Sequence, residues 1–514
     1  MSLKGIVGVI VTLLVLLVII VIIKTYTYPF KKKSGSQTVA PVGEIQVSEL
    51  TLQRLADGIR IPTISTQVYE ETNFAPFDSF KVYLSEAYPA IYEVMDPLTV
   101  NTYGLVFHWK GKNSSLNPIL FLSHYDVVPV VGYDPENDNA GEKIFQPGNR
   151  VSAPVTEVSE KWDYLPFSGA VTEGRVYGRG TLDMKGMLFS LLEAADELIG
   201  QGFQPERDIW FAFGHDEEVG GLHGAVYIAN YFKEQGLTFD AVYDEGGTIT
   251  RLELSGKEDE TPVALVGVGE KGFLSVRIKV SGLGGHSSMP PVKSSLVYAA
   301  EIIEKLNSNQ MPGRIIPPIA TFLEQVGGDL GFTSRMAIAN QWLFKPLLLS
   351  SFRKNPATNA LIRTTTAITM AKGSDASNVI ASVAEVTVNF RVLPGDTVED
   401  VLNHVREICE GYEVELQVLN SREPSAISPQ DTRGFKVIQE ALNQTYPEAV
   451  ATAYITIGGT DAYKYQLVSD HIYRLMPIYL NTYEQRMLHN ENEHISIENY
   501  GKMIRYFRTI MQNY

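Results

Sequence analysis

A chain of 514 residues is longer than one hydrophobic core usually organises, so two domains with appendages are expected. Its 44% hydrophobic and 20% charged residues describe an ordinary globular protein, and 59 acidic against 43 basic side chains give a formal charge of −16, which repels phosphate backbones and argues against nucleic acid as a partner. The single cysteine, Cys409, excludes an intrachain disulfide framework and reads as a small, buried apolar residue.

Ile6 to Ile23 is uncharged and apolar except for Gly8 and Thr12, close to the roughly 20 residues that cross a bilayer as a helix. A cleaved signal peptide would have a shorter apolar core and a small-residue cleavage site, whereas Lys24-Thr-Tyr-Thr-Tyr-Pro-Phe follows here. Residues 1–30 are therefore predicted to be an N-terminal transmembrane anchor. Lys4 flanks one side and Lys24, Lys31, Lys32 and Lys33 the other, so a literal positive-inside count leaves the large domain in the cytoplasm. Residues 31–43, basic and then rich in Gly, Ser and Pro, read as a linker, and folding is expected to begin near Glu44.

From there buried-strand runs alternate with helical patterns. Pro118–Ser123, Ile209–Gly214 and Ala241–Tyr243 read as strands, and Met187–Ile199 and Gly224–Gln235 as helices. The pattern predicts an α/β fold, a mixed but largely parallel sheet with helices on both faces. Past Gly272 the texture changes to alternating strands at Phe273 onward, Glu385 onward and Glu413–Leu419, with helices near Ser294–Asn307 and Val398–Cys409. This reads as an inserted α+β domain over residues 272–420, the main domain being formed by residues 44–271 and 421–514.

In such sheets ligands collect beyond the carboxyl ends of the strands. His124, Asp183, Glu218, Asp244 and His489 each fall at the end of an apolar run, and together they read as a two-zinc site with Glu217 left over as a base. The charges balance: two Zn²⁺ carry four positive charges against three carboxylates and one bridging hydroxide. Asp126, two residues beyond His124 on an extended chain, can reach the second ring nitrogen of that histidine. Each piece has a plainer reading. Asp183 suits the N-cap of the helix near Met187, Asp244 an ordinary strand-to-turn aspartate, and His489-Asn-Glu-Asn-Glu493 a solvated polar loop. The adjacent Glu217 and Glu218 are harder to dismiss, because neighbouring carboxylates repel unless something positive binds them.

Taken in this order, the segments resemble the co-catalytic di-zinc aminoacylase and carboxypeptidase family, whose members include glutamate carboxypeptidase, aminoacylase and succinyl-diaminopimelate desuccinylase. Gly214-His-Asp-Glu-Glu-Val, the N-terminal apolar segment and a long stretch at about residues 310–372 bring carboxypeptidase S and the fatty-acyl amino acid synthase/hydrolases nearest. The resemblance implies two Zn²⁺ per subunit, one held by His124 and Asp244, the other by Glu218 and His489, with Asp183 bridging and a cis peptide after it. It also implies that Glu217 is the general base and Asp126 the partner of His124. The lid histidine is then His286, serving a second subunit of a homodimer formed through the inserted domain. Asn378, Arg391, Gly458 and Gly459 are then the grip on the substrate's free carboxylate.

The implied activity is hydrolysis of the amide bond in N-acyl amino acids or short peptides with a free C-terminal carboxylate. By family analogy the catalytic domain is extracytoplasmic or lumenal. A non-catalytic receptor-like relative would have lost ligands or the base, and all are present. A di-zinc aminopeptidase would have no use for the Asn378 and Arg391 pair. The apolar segment Trp342–Leu349 is expected either to pack within the inserted domain or to line the acyl side of the pocket.

Overall fold

The computed structural model describes residues 2–30, 46–131, 151–152, 161–252 and 262–514. The predicted linker and the start near Glu44 lie outside these residues. Two compact units are present, one made of Ser36–Val268, Ser428–Thr452 and Thr460–Tyr514, the other of Met1–Gly35, Gly269–Ile427 and Ala453–Gly459.

The first unit is built on strands β1 (Asp96–Val100), β2 (Gly104–Trp109), β3 (Ile119–His124), β4 (Ile209–Gly214), β5 (Ala241–Thr250), β6 (Val263–Glu270) and β11 (Ile472–Tyr479). They follow one another across the sheet as β1-β2-β4-β3-β5-β11-β6. The inner four run parallel, and β1, β2 and β6 are antiparallel to their neighbours. Strand β3 is buried along its whole length, which is why its sequence is continuously apolar rather than alternating. Its residues serve both faces. Leu120 and Leu122 pack toward Ala225, Ile228 and Phe232 of helix α3 (Ala225–Glu234), while Phe121 meets Phe507 of helix α9 (Ile497–Asn513). Helix α2 (Lys185–Gly200) packs beside α9. The predicted α/β class, with helices on both faces, is the observed one.

Strand β5 differs from its expected end at Tyr243 and continues to Thr250. Asp244 pairs with Arg474 of β11 and Gly247 with Leu475, so Glu245 and Gly246 form a bulge. The glycines make this possible: Gly246 has φ 140°, and a Cβ on Gly247 would lie 1.6 Å from the carbonyl oxygen of Leu265. A sequence that looks like a turn is here a kinked strand.

The second unit carries a four-stranded sheet of β7 (Gly272–Ser281), β8 (Thr365–Lys372), β9 (Val383–Val392) and β10 (Val414–Arg422), all antiparallel, in the order β8-β9-β7-β10. Burial alternates residue by residue along β7 and β9, and the inward set packs against helices α4 (Ser295–Ser308) and α8 (Val398–Ile408). Cys409 belongs to this core, as its composition-level reading predicts. Between α4 and β8 lie α5 (Pro317–Val326), α6 (Phe332–Ala339) and α7 (Gln341–Phe352), followed by a short helix at Pro356–Ile362. Helix α1 (Leu3–Thr27) is by length and composition able to cross a membrane, and most of its surface is exposed.

Candidate active site

The parallel register sets His124 beside Gly214, so the carboxyl ends of β3 and β4 deliver His124 and the Asp216-Glu217-Glu218 turn to the same place. His124 is 1% exposed, and its Nδ1 stands 3.2 Å from Asp126 Oδ1 and 3.1 Å from the Asp126 carbonyl, which leaves Nε2 to face the site. Asp126 holds more than the histidine. Its carboxylate also accepts from Ser65 Oγ at 2.8 Å and from the backbone N–H groups of Glu217 and Glu218 at 3.1 and 3.2 Å, so one fully buried side chain fixes both strand ends.

Asp183 is not an N-cap. The cap of α2 is Met184, without a side-chain hydrogen bond, and the Asp183–Met184 peptide is cis. The two Asp183 oxygens face different histidines, Oδ1 lying 3.1 Å from His124 Nε2 and Oδ2 2.8 Å from His489 Nε2. Glu218 Oε2 is 3.1 Å from the same His489 nitrogen, and Glu217 Oε2 is 3.9 Å from His124 Nε2. Glu245, carried inward by the bulge, stands 3.4 Å from His124 Nε2. Asp216 turns away and accepts from the N–H groups of His223 and Gly224, closing the loop before α3.

His489, Asn490 and Glu491 are exposed, as a solvated loop would be, but the segment ends on a buried residue. Glu493 is fully buried, pairs with Arg179 at 2.9 Å, and through Oε1 accepts from the backbone N–H groups of Gly180, Leu182 and Asp183 at 2.9, 2.8 and 3.3 Å. It thereby shapes the loop that presents Asp183. Asp461, two residues beyond Gly459, is paired with buried Lys464 close under Gly214 and Gly221. Residues 124, 126, 183, 217, 218, 244, 461 and 489 thus all belong to the first unit. Glu245, Glu493 and Lys464 join them; in sequence Glu245 only follows Asp244, and Glu493 closes the polar run from His489.

The remaining residues lie in the second unit. His286, exposed, sits in a short ladder with Val379, and the Ser287 N–H donates to the Asn378 carbonyl at 3.1 Å. Arg391 lies on β9; burial first and then the charge of Arg422 lower its pKa. Arg422 pairs with fully buried Glu270 at 2.7 Å, and a Cβ on Gly459 would come within 3.6 Å of both.

The first-unit cluster is electrostatically suited to cations. Burial, then the neighbouring Asp183, pushes Glu218 up to about 7 and Glu245 to about 8, and burial followed by Asp461 takes Asp244 to about 7. Hydrogen bonds to Asp183 and Glu218 lift His489 to about 10, and although burial acts to lower His124, its bonds to Asp126, Asp183 and Glu245 raise it. Protons thus supply positive charge that divalent ions would replace. Glu218 Oε1 and Asp244 Oδ2 are buried with no hydrogen-bond partner among the described residues, an arrangement that fits donors awaiting a metal. The sets His124, Asp183, Glu218 and His124, Glu217, Glu245 can each converge on one ion, and imidazole with carboxylate oxygen suits zinc. Asp244→Asn is expected to lower bound metal more than Glu245→Gln, because Asp244 Oδ2 has no other partner while Glu245 already has His124. Metal analysis with the reverse order would favour Glu245 over Asp244 as a ligand.

A mostly parallel sheet with a histidine–carboxylate cluster at its strand ends is an arrangement suited to holding metal ions. The family model for Peptidase family M20/M25/M40 matches residues 152–513, and the chain belongs to that family. It is similar to a probable carboxypeptidase S-like protein 2 from Dictyostelium discoideum, 32% identical with 90% of this chain and 84% of the relative covered. Its likeness to the N-fatty-acyl-amino acid synthase/hydrolase PM20D1 of Homo sapiens is 33% identity over 90% and 87% of the two chains. Among solved structures, a metallo-carboxypeptidase from Sulfolobus solfataricus shares the fold with a TM-score of 0.61 at 19% identity, covering 90% of this chain and 99% of that one. The chain is accordingly a hydrolytic metallopeptidase.

Proposed function

We propose that this chain is a membrane-anchored di-zinc amidohydrolase that releases an amino acid from an N-acyl amino acid, or from a short peptide with a free C-terminal carboxylate. The observation that carries the reading is Asp183, whose two oxygens address His124 on one side and His489 on the other, with Glu217 beside them. One zinc is assigned to His124 and Asp244, the other to Glu218 and His489, with Asp183 shared. When bound, the pair supplies Lewis-acid polarisation of the scissile carbonyl and an acidified water.

The protein's own part falls to Glu217. It takes the proton from the attacking water and returns it to the leaving nitrogen, one carboxylate acting first as base and then as acid. Burial drives Glu217 upward, His124 opposes it, and the Asp461, Glu245 and Glu218 charges add to the rise, so a bound cation beside it would favour the ionised form. Asp126 keeps His124 in the tautomer that leaves Nε2 free, and Glu493 keeps the Asp183 loop in place. His286 is assigned to the carbonyl oxygen in the site of a second copy, and Asn378, Arg391, Gly458 and Gly459 to the substrate carboxylate, which a guanidinium can hold with two parallel hydrogen bonds.

A hydrolysis screen across fatty-acyl amino acids and dipeptides tests the substrate class. Amidated substrates are expected to be poor, and Arg391→Ala to erase the preference for the free acid; equal rates on acid and amide with the native enzyme would turn the reading toward an aminopeptidase. Helix α1 is assigned as the anchor and the catalytic part to the extracytoplasmic or lumenal side, following the similarity rather than the lysine count. Protease shaving of sealed vesicles is expected to remove the domain from the corresponding face, and a protected domain would reverse the orientation.

A further inference from the structure

Helix α1 is not a free tether, because its last turns are fixed to the α6–α7 corner of its own unit. Asn340, fully buried between these helices, donates through Nδ2 to the Val21 carbonyl at 3.2 Å and to Thr25 Oγ1 at 3.1 Å. Val21 and Thr25 are the buried residues of α1. Just outside, Tyr28 donates to Glu324 at 3.0 Å, Tyr26 meets Phe332, and Lys24 lies 5.7 Å over the Trp342 ring. At about 1.5 Å per residue the 25 residues of α1 reach about 37 Å, against a hydrocarbon core of about 30 Å. Centred in that core, the helix places Thr25 near the boundary and Val21 about one turn inside it. Whatever is fastened to those two residues is fastened at the membrane surface.

The attached surface has the composition for that position. On α7, Trp342 is 56% and Leu347 63% exposed, with Leu343 also exposed, and a groove beside them is lined by Trp342, Lys345, Pro346 and Arg353. Around them Lys345, Arg353 and Lys354 are exposed, and from residue 341 to residue 354 the sequence contains no Asp or Glu, in a chain whose net charge is −16. Exposed aromatic and leucine side chains bordered by cations match an interfacial lipid contact.

We propose that the exposed face of α7, Trp342, Leu343 and Leu347 with Lys345, Arg353 and Lys354 around them, is a docking surface for a phospholipid bilayer with anionic headgroups. It rests on the reading of α1 as a membrane span. The surface holds the second unit against the membrane that carries the anchor, so α7 belongs to the lipid side and not to the acyl pocket that its composition also allows. Docking of this kind sets the unit at a defined height and lets amphiphilic N-acyl substrates arrive through the bilayer surface.

The test uses the full chain reconstituted in vesicles of brominated phosphatidylcholine and phosphatidylserine, with tryptophan emission as readout. The chain has four tryptophans. Trp109 and Trp162 are buried and Trp210 is stacked on His108, which leaves Trp342 as the exposed reporter. Bromolipid is expected to quench the native chain, and Trp342→Phe to lose that quenching while remaining in the membrane after alkaline carbonate washing. Release of the native chain by carbonate removes the anchor reading itself. Retention with no Trp342-dependent quenching overturns the docking surface alone. Quenching by a soluble N-(bromoacyl) amino acid, and not by bromolipid, overturns it in favour of an acyl-binding segment. If Trp342→Phe folds poorly, Leu347→Ser with native tryptophans is read in the same way, with weaker quenching expected.

Discussion

Glu217→Gln is expected to keep the fold and the bound metal while lowering kcat/KM by about 10²–10⁴-fold, the range that a general base contributes. The amide is isosteric with the carboxylate but has no site for the proton of the attacking water. The backbone has no reason to move, because the N–H groups of Glu217 and Glu218 remain bonded to Asp126. The native pH profile carries a second sign of the same role. A base must be ionised, so activity falls as pH drops through its pKa, and this acid limb is expected to vanish in the variant. Purified protein, metal analysis and turnover across pH check it together. Near-normal turnover with full metal would take the base from Glu217.

What was legible in the sequence is what local pattern controls. Ile209–Gly214 is a continuous apolar strand because both of its faces are covered, and such a run is readable without neighbours. His124, the last residue of β3, and Glu218, shortly beyond β4, are placed by the same rule. Asp244 and Glu245 mark where the rule weakens. Period-two alternation puts neighbouring residues on opposite faces, yet the bulge against Arg474 and Leu475 sends Glu245 to His124, and only the partner strand reveals that register. Glu493 is the clearer case. In sequence it belongs to a polar run between His489 and His494, and nothing local tells that Gly180, Leu182 and Asp183, more than 300 residues earlier, supply the donors that bury it. Asp126 was read as a partner of one histidine, but its second oxygen organises the glutamate turn. In α7, apolar composition alone does not separate an acyl wall from a lipid contact, and the hydrogen bonds of Asn340 to α1 are a long-range contact that no local pattern shows.

Asp183→Ala is expected to lose metal from both positions at once and with it essentially all activity. The loss follows from the geometry, since Oδ1 and Oδ2 are aimed at the two histidines and no other carboxylate among the described residues addresses both. The change is not expected to unfold the protein. Removing this charge relieves the second-largest influence that raises Glu218, while His489 loses the partner that contributes most to its elevated pKa and returns toward the ordinary histidine range. Repulsion and attraction therefore fall together in the metal-free cluster. The loop itself stays tied by Glu493 through Gly180 and Leu182, which the substitution does not touch. Metal content by mass spectrometry, beside a melting curve without added metal, separates the two effects. Two full equivalents of zinc in the variant would refute the shared ligand. One retained equivalent would locate the remaining ion with either His124 or His489, and a further substitution of each histidine would show which.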